Sequence, residues 1–174
     1  MTKKSLLLAI AIGLMAGSAE AHPGHLGAHG IVEGFIHPFT GFDHMIAMIA
    51  VGLFAARLGG RAIWMVPLSF VVLLGFGGAL GMMGLSLPLA ESVILLSVAV
   101  LPAVAVMHWK ASVSTACALV GVFALFHGFA HGLELPDGLS GLSYAAGFVL
   151  ASVSLHVVGI AAGLGLHKAQ QRLA

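Results

Sequence analysis

Apolar stretches of about 20 residues, the length an α-helix needs to cross a bilayer's hydrocarbon core, recur along this 174-residue chain. Apolar residues make up 60% of the sequence and charged residues 7%. An ordinary soluble domain carries roughly 25% charge. So few charges cannot cover the surface of a soluble fold, and lipid is the natural solvent for this sequence. The 24 glycines fit that reading, because small residues let membrane helices approach backbone to backbone. The formal net charge is +1 and no basic cluster is present, so nucleic acid is not expected as a partner. The single cysteine, Cys117, excludes an internal disulfide and any multi-cysteine metal site.

The first residues read as a secretory signal rather than as part of the fold. Lys3 and Lys4 form a basic start, Ser5 to Met15 a short apolar core, and Ala19-Glu20-Ala21 an Ala-x-Ala cleavage site. Residues 1–21 are therefore expected to be removed. The mature chain, 22–174, would begin at His22 outside the cytoplasm as a single transmembrane domain. Five spans are expected, near 39–56, 62–82, 89–107, 111–130 and 142–166. The fold class is thus all-α: a polytopic integral membrane helix bundle of about five transmembrane helices behind a cleavable signal peptide. Short connections predict antiparallel neighbours in one compact bundle. Pro67 and Pro102 fall inside the second and third spans, where kinks are tolerated. The pairs Gly77/Gly81 and Gly159/Gly163 have the spacing of close helix contacts.

With His22 outside, Arg57, Arg61, Lys110, Lys168 and Arg172 all fall on the cytoplasmic side, as the positive-inside rule requires. Trp64 and Trp109 lie at the same boundary, where indole rings favour the headgroup layer. The carboxylates Glu33, Asp43, Glu91, Glu134 and Asp137 fall on the opposite, outer side. An acidic mouth of that kind raises the local concentration of cations; ordinary loop solvation is the alternative, and the better reading for Glu91 and Asp137.

Two strings place ionisable groups where lipid makes them expensive. The first is His37-Pro38-Phe39-Thr40-Gly41-Phe42-Asp43-His44. The apolar run after it, Met45 to Ala56, is too short to span, so the helix must start before Asp43. That puts Asp43 and His44 at least a turn below the surface. A charge at such depth costs about 2.5–3.5 kcal/mol unless it faces a cavity or a partner. The second string is Phe126-His127-Gly128-Phe129-Ala130-His131-Gly132-Leu133-Glu134. Here His127, His131 and Glu134 stand at i, i+4 and i+7, on one helix face if the helix continues. Imidazoles at i and i+4 can converge on one ion.

The expected topology puts both strings at the same depth near the outer face. Together they offer His37, Asp43, His44, His127, His131 and Glu134 as candidate metal ligands. An all nitrogen-and-oxygen set suits Ni, Co, Zn, Mn or Fe and lacks the thiolates that select Cu(I). His22, His25 and His29 lie near the expected mature amino terminus, where metal scavenging and plain solvation are equally good readings. His156, near the middle of the fifth span, reads equally as an interhelical hydrogen-bonding group or a step on an ion path.

On these two strings the chain resembles the HupE/UreJ family of nickel permeases. The family patterns are His-x5-Asp-His and Phe-His-Gly-x-(Ala/Val)-His-Gly-x-Glu. They are met by His37, Asp43 and His44, and by Phe126, His127, Gly128, Ala130, His131, Gly132 and Glu134. No pattern position departs, and the likeness in size, signal and hydropathy extends over the whole chain. The resemblance implies a bacterial inner-membrane permease or facilitator for Ni2+, with Co2+ a second candidate, supplying a hydrogenase or a urease. It implies no prosthetic group and no enzymatic activity, the metal being cargo; the bilayer is the surrounding partner, and self-association is left open. Two rivals share the ligand set. One is an intramembrane zinc hydrolase with Asp43 or Glu134 activating water; the other is a metal-sensing or metal-storing subunit without flux.

Overall fold

The computed structural model describes residues 30–107, 109–135 and 140–173. The expected signal, its cleavage site, His22, His25 and His29, and also His108 and Asp137, lie outside them. The described residues form six helices and no strand: α1 Gly30–Thr40, α2 Phe42–Leu58, α3 Ala62–Met82, α4 Ala90–Val106, α5 Val113–Leu133 and α6 Gly141–Leu173. Three of these, α3, α5 and α6, are each long and apolar enough to cross a membrane. The chain is an all-α polytopic membrane bundle.

The first expected span differs from what is observed. Its helix does begin before Asp43, but it breaks at Gly41, and α1 and α2 meet at 84°. Glycine is a poor helix residue, and Gly41 takes an extended conformation (φ −95°, ψ 111°). A side chain there has no room. A Cβ on Gly41 would lie 2.7 Å from His44 Nδ1 and 2.9 Å from Asp43 Oδ1. Thr40 closes α1 by donating its hydroxyl to the His37 carbonyl at 2.8 Å, covering one of the acceptors that a helix end leaves open. Only as a bent pair do α1 and α2 have the length of a span. The third expected span, α4, has 17 residues and rises about 25 Å, slightly less than a typical hydrocarbon core.

Helix α1 is inside out by the standards of a soluble protein. Its exposed face carries Ile31, Val32, Phe35, Ile36 and Phe39, while Gly34 and Pro38 are buried and His37 is half-buried. The outer surfaces of α3 and α6 are likewise apolar, with Leu68, Val72 and Phe76 exposed on one and Leu150, Val157 and Val158 on the other. Such surfaces are unfavourable in water and neutral in lipid.

Glycine sets how closely the helices approach. The most extensive contact is between α3 and α5. A Cβ on Gly77 or Gly81 of α3 would fall 2.0 and 2.2 Å from the Leu125 and Phe129 carbonyl oxygens. Reciprocally, a Cβ on Gly128 or Gly132 of α5 would fall 1.9 and 2.1 Å from those of Leu74 and Gly78. Helix α6 packs on α1 and α2 in the same manner, through Gly147 on Ile31 and Gly159 on Ile49. In lipid, where apolar burial gives helices no advantage, such close packing holds a bundle together.

The ends are finished locally. Ser112 caps α5 by accepting from the Thr115 amide at 3.1 Å. At the far end of α2, the Arg57 guanidinium donates to the Ala105 carbonyl at 2.8 Å, placing a cation at the negative end of α4. Beside it, Phe54 stacks on Trp109 with ring centroids 5.9 Å apart.

Candidate metal centre

The second histidine string divides its labour around the helix. Successive residues are turned by about 100°. Gly128 and Gly132 therefore face α3, while His127 is turned toward Ser97 of α4 and His131 toward His44 at the α1–α2 bend. The glycines allow α5 to lie flat on α3, and the imidazoles are held at a fixed distance from the helices opposite. From the first string, the bend at Gly41 turns His44 into the same space.

There the two strings meet. His131 Nε2 and His44 Nε2 are 2.7 Å apart. His44 and His127 ring centroids are separated by 5.2 Å with planes near perpendicular. One ligand nitrogen from each of His44, His127 and His131 can be chosen so that all three lie within 4.8 Å of one another. All three side chains are buried. A metal with nitrogen bonds of about 2.1 Å would draw these atoms together by small side-chain rotations.

Neighbours orient the cluster. Asp43 Oδ1 accepts from His44 Nδ1 at 2.9 Å, which leaves Nε2 of His44 to face the other rings. A carboxylate behind an imidazole is the common way of aiming and strengthening a metal-binding histidine. His37, on α1, packs edge-on against His131 with centroids 4.7 Å apart and lies 6.0 Å from His44. Phe148 of α6 covers His131 at 4.7 Å. The remaining nitrogen of His131, Nδ1, is buried without a partner.

Of the six residues expected at the site, the structure brings five into contact. His44, His127 and His131 form the centre, with Asp43 and His37 adjoining it. Glu134 stands apart from the converging ligand atoms: it is the residue that caps α5 just past Leu133, its amide bonded to the Ala130 carbonyl at 3.1 Å. Its side chain is exposed and lines an open cleft with Glu91, Ser86 and Ser92. The desolvation of the cleft wall raises the Glu134 carboxyl above its ordinary pKa; the Glu91 charge adds to this, and His44 opposes it. These two carboxylates form an acidic approach beside the cluster.

One contact was not anticipated. Ser97 of α4 is fully buried, with Oγ 2.8 Å from His127 Nε2. A serine in an apolar helix ordinarily satisfies itself on its own backbone, so its type and position alone carry no signal. His156 is buried two helical turns beyond Phe148 along α6, about 12 Å further into the bundle. Its ring meets Phe70 edge-on at 5.0 Å, and neither of its nitrogens has a partner.

Fold and cluster together define a polytopic membrane protein with a buried, sulphur-free histidine centre near one end. Comparison with known proteins agrees in kind. The HupE / UreJ protein family model matches residues 9–174. Protein HupE of Rhizobium leguminosarum bv. viciae is 46% identical over 157 residues, covering 90% of this chain and 82% of that protein. No solved structure matches. The chain belongs to the HupE/UreJ family, whose likeness extends across the whole described bundle.

Proposed function

We propose that this chain is a permease that admits Ni2+, with Co2+ as a second cargo, through a bacterial inner membrane to supply a nickel enzyme such as a hydrogenase or urease. The observation that carries the reading is the meeting of His44, His127 and His131 inside a membrane bundle, backed by Asp43 and His37. Family membership and the Rhizobium relative's name point the same way. Nitrogen donors with a carboxylate behind them suit Ni2+ and Co2+.

In this reading the site end faces outward, the mature amino terminus is periplasmic and the carboxy terminus cytoplasmic. Glu91 and Glu134 gather cations at the mouth. The ion exchanges water for imidazole nitrogens as it enters the cluster. In the neutral metal-free pair, His44 Nδ1–H is given to Asp43, so His131 Nε2–H donates to His44 Nε2. An arriving cation replaces that proton, which the unpartnered Nδ1 of His131 can hold. No phosphate-binding Gly-x4-Gly-Lys-Ser/Thr string is present in the sequence, so ATP hydrolysis by this chain does not drive the step. A potential of 100 mV, negative inside, is worth about 4.6 kcal/mol to a dication moving inward.

The test is uptake of radioactive nickel by cells expressing the chain. His44→Ala and His127→Ala are expected to reduce uptake to that of cells lacking the protein, with the amount in the membrane unchanged. Undiminished uptake in both variants refutes the site. Purified protein in liposomes separates transport from the zinc-hydrolase reading, which requires substrate turnover without ion flux.

A further inference from the structure

Ser97 lies in the middle of α4, fully buried, and its hydroxyl makes two short contacts. Oγ is 2.6 Å from the Ile94 carbonyl oxygen, three residues back on the same helix, and 2.8 Å from Nε2 of His127 on α5. A carbonyl can only accept, so the single hydroxyl proton is committed to Ile94. The contact with His127 must then run the other way, with Nε2–H donating to Oγ. A neutral imidazole has one N–H, which leaves the lone pair of His127 on Nδ1.

We infer that Ser97 is a positioning residue that locks His127 as the Nε2–H tautomer, so that His127 meets a cation through Nδ1. This rests on the metal reading of the cluster. The consequence is a centre whose imidazoles are held in opposite senses by different neighbours. Asp43 takes Nδ1–H of His44 and leaves Nε2 to coordinate; Ser97 takes Nε2–H of His127 and leaves Nδ1. Coordination through Nδ1 brings the metal closer to the α5 backbone than coordination through Nε2 would. It also requires the α4 hydroxyl to remain in place, which makes α4 part of the site although it contributes no ligand. Both Ser97 bonds are satisfied without water, so the lock survives in an otherwise apolar interior.

The experiment uses the full chain in lipid nanodiscs with nitrogen-labelled histidine, free of metal, and reads the ring nitrogens by NMR. The His127 signals are assigned by their loss in His127→Gln. The expected result is a protonated Nε2 and a bare Nδ1 in the wild type. Ser97→Ala should spread the proton over both nitrogens and weaken Ni2+ binding on the order of 10–100-fold, the usual cost of losing a group that orients a ligand. Ser97→Thr, which keeps the hydroxyl, should restore both. A wild-type His127 protonated on Nδ1 overturns the inference, and that measurement needs no variant to fold. So does a Ser97→Ala protein with unchanged tautomer and unchanged Ni2+ affinity. A wild type that shows the Nε2–H tautomer but binds no Ni2+ upholds the lock and refutes the proposed cargo instead.

Discussion

The end of the bundle that holds the histidine cluster and the end that holds Arg57 are made from the same apolar helices, yet they treat polar groups in opposite ways. Near the α1–α2 bend, polar side chains are bonded to one another: Asp43 to His44, His44 to His131, His127 to Ser97. At the other end Arg57 is spent on the Ala105 carbonyl, and the side chains that do meet one another, Ser112 with Thr115 and Gln171 with His167, are exposed. Between them, His156 is bonded to nothing among the described residues. An unpartnered buried polar group costs about 1–3 kcal/mol, so a bundle in lipid gains no stability by collecting imidazoles. Buried polar groups collected together therefore point to work done by the molecule, and exposed or dispersed ones to construction.

That contrast is broken most severely at the glycine contact beneath the cluster. Gly128→Val would drive a branched side chain into the Leu74 carbonyl and separate α5 from α3. The expected outcome is loss of a monodisperse folded protein in detergent size-exclusion chromatography. Gly165→Ala, where a Cβ meets nothing within 4 Å, is expected to behave as wild type in the same assay. A folded Gly128→Val protein would show that the histidines do not depend on this approach for their spacing.

Arg57→Ala probes the construction end. Losing the charge-assisted bond at the terminus of α4 should lower stability by about 1–2 kcal/mol, read from thermal unfolding in detergent. Nickel uptake should persist, because the change lies about 20 Å along α2 from His44. Abolished uptake at normal expression would place Arg57 in the ion's route.

The smallest effect has the opposite sign. His156→Leu replaces an imidazole without partners by an apolar group of similar volume, and should raise stability by about 1 kcal/mol or more. A drop in unfolding temperature would mean that the His156 nitrogens are satisfied in the membrane-embedded protein. His156 would then belong with the collected groups rather than the dispersed ones.

The difference between the two ends also explains what could be read from sequence. Helices α3 to α6 were legible because each is a continuous apolar run close to the length of a span, and their observed limits fall within a few residues of the expected ones except at the extended end of α6. The two histidine strings were legible because ionisable side chains in such runs are costly. Helix α1 was not read, although Ile31, Phe35 and Phe39 recur at helical spacing, because its apolar face points outward and its buried face is Gly34 and Pro38. The bend at Gly41 depends on the space already filled by Asp43 and His44, a tertiary fact. Glu134 follows His127 and His131 at helical spacing, but it caps α5 at the rim of an open cleft and is exposed, which spacing alone does not reveal. Ser97 became visible only when α4 and α5 were placed side by side.

The most direct test of the centre is X-ray absorption at the nickel edge on the full chain in detergent with one equivalent of Ni2+. A shell of nitrogen and oxygen with the outer scattering of imidazole from His44, His127 and His131 is expected, diminished in His44→Ala and in His131→Ala. A shell of oxygen alone, or imidazole scattering unchanged in both variants, would contradict the assignment of these histidines as the metal centre.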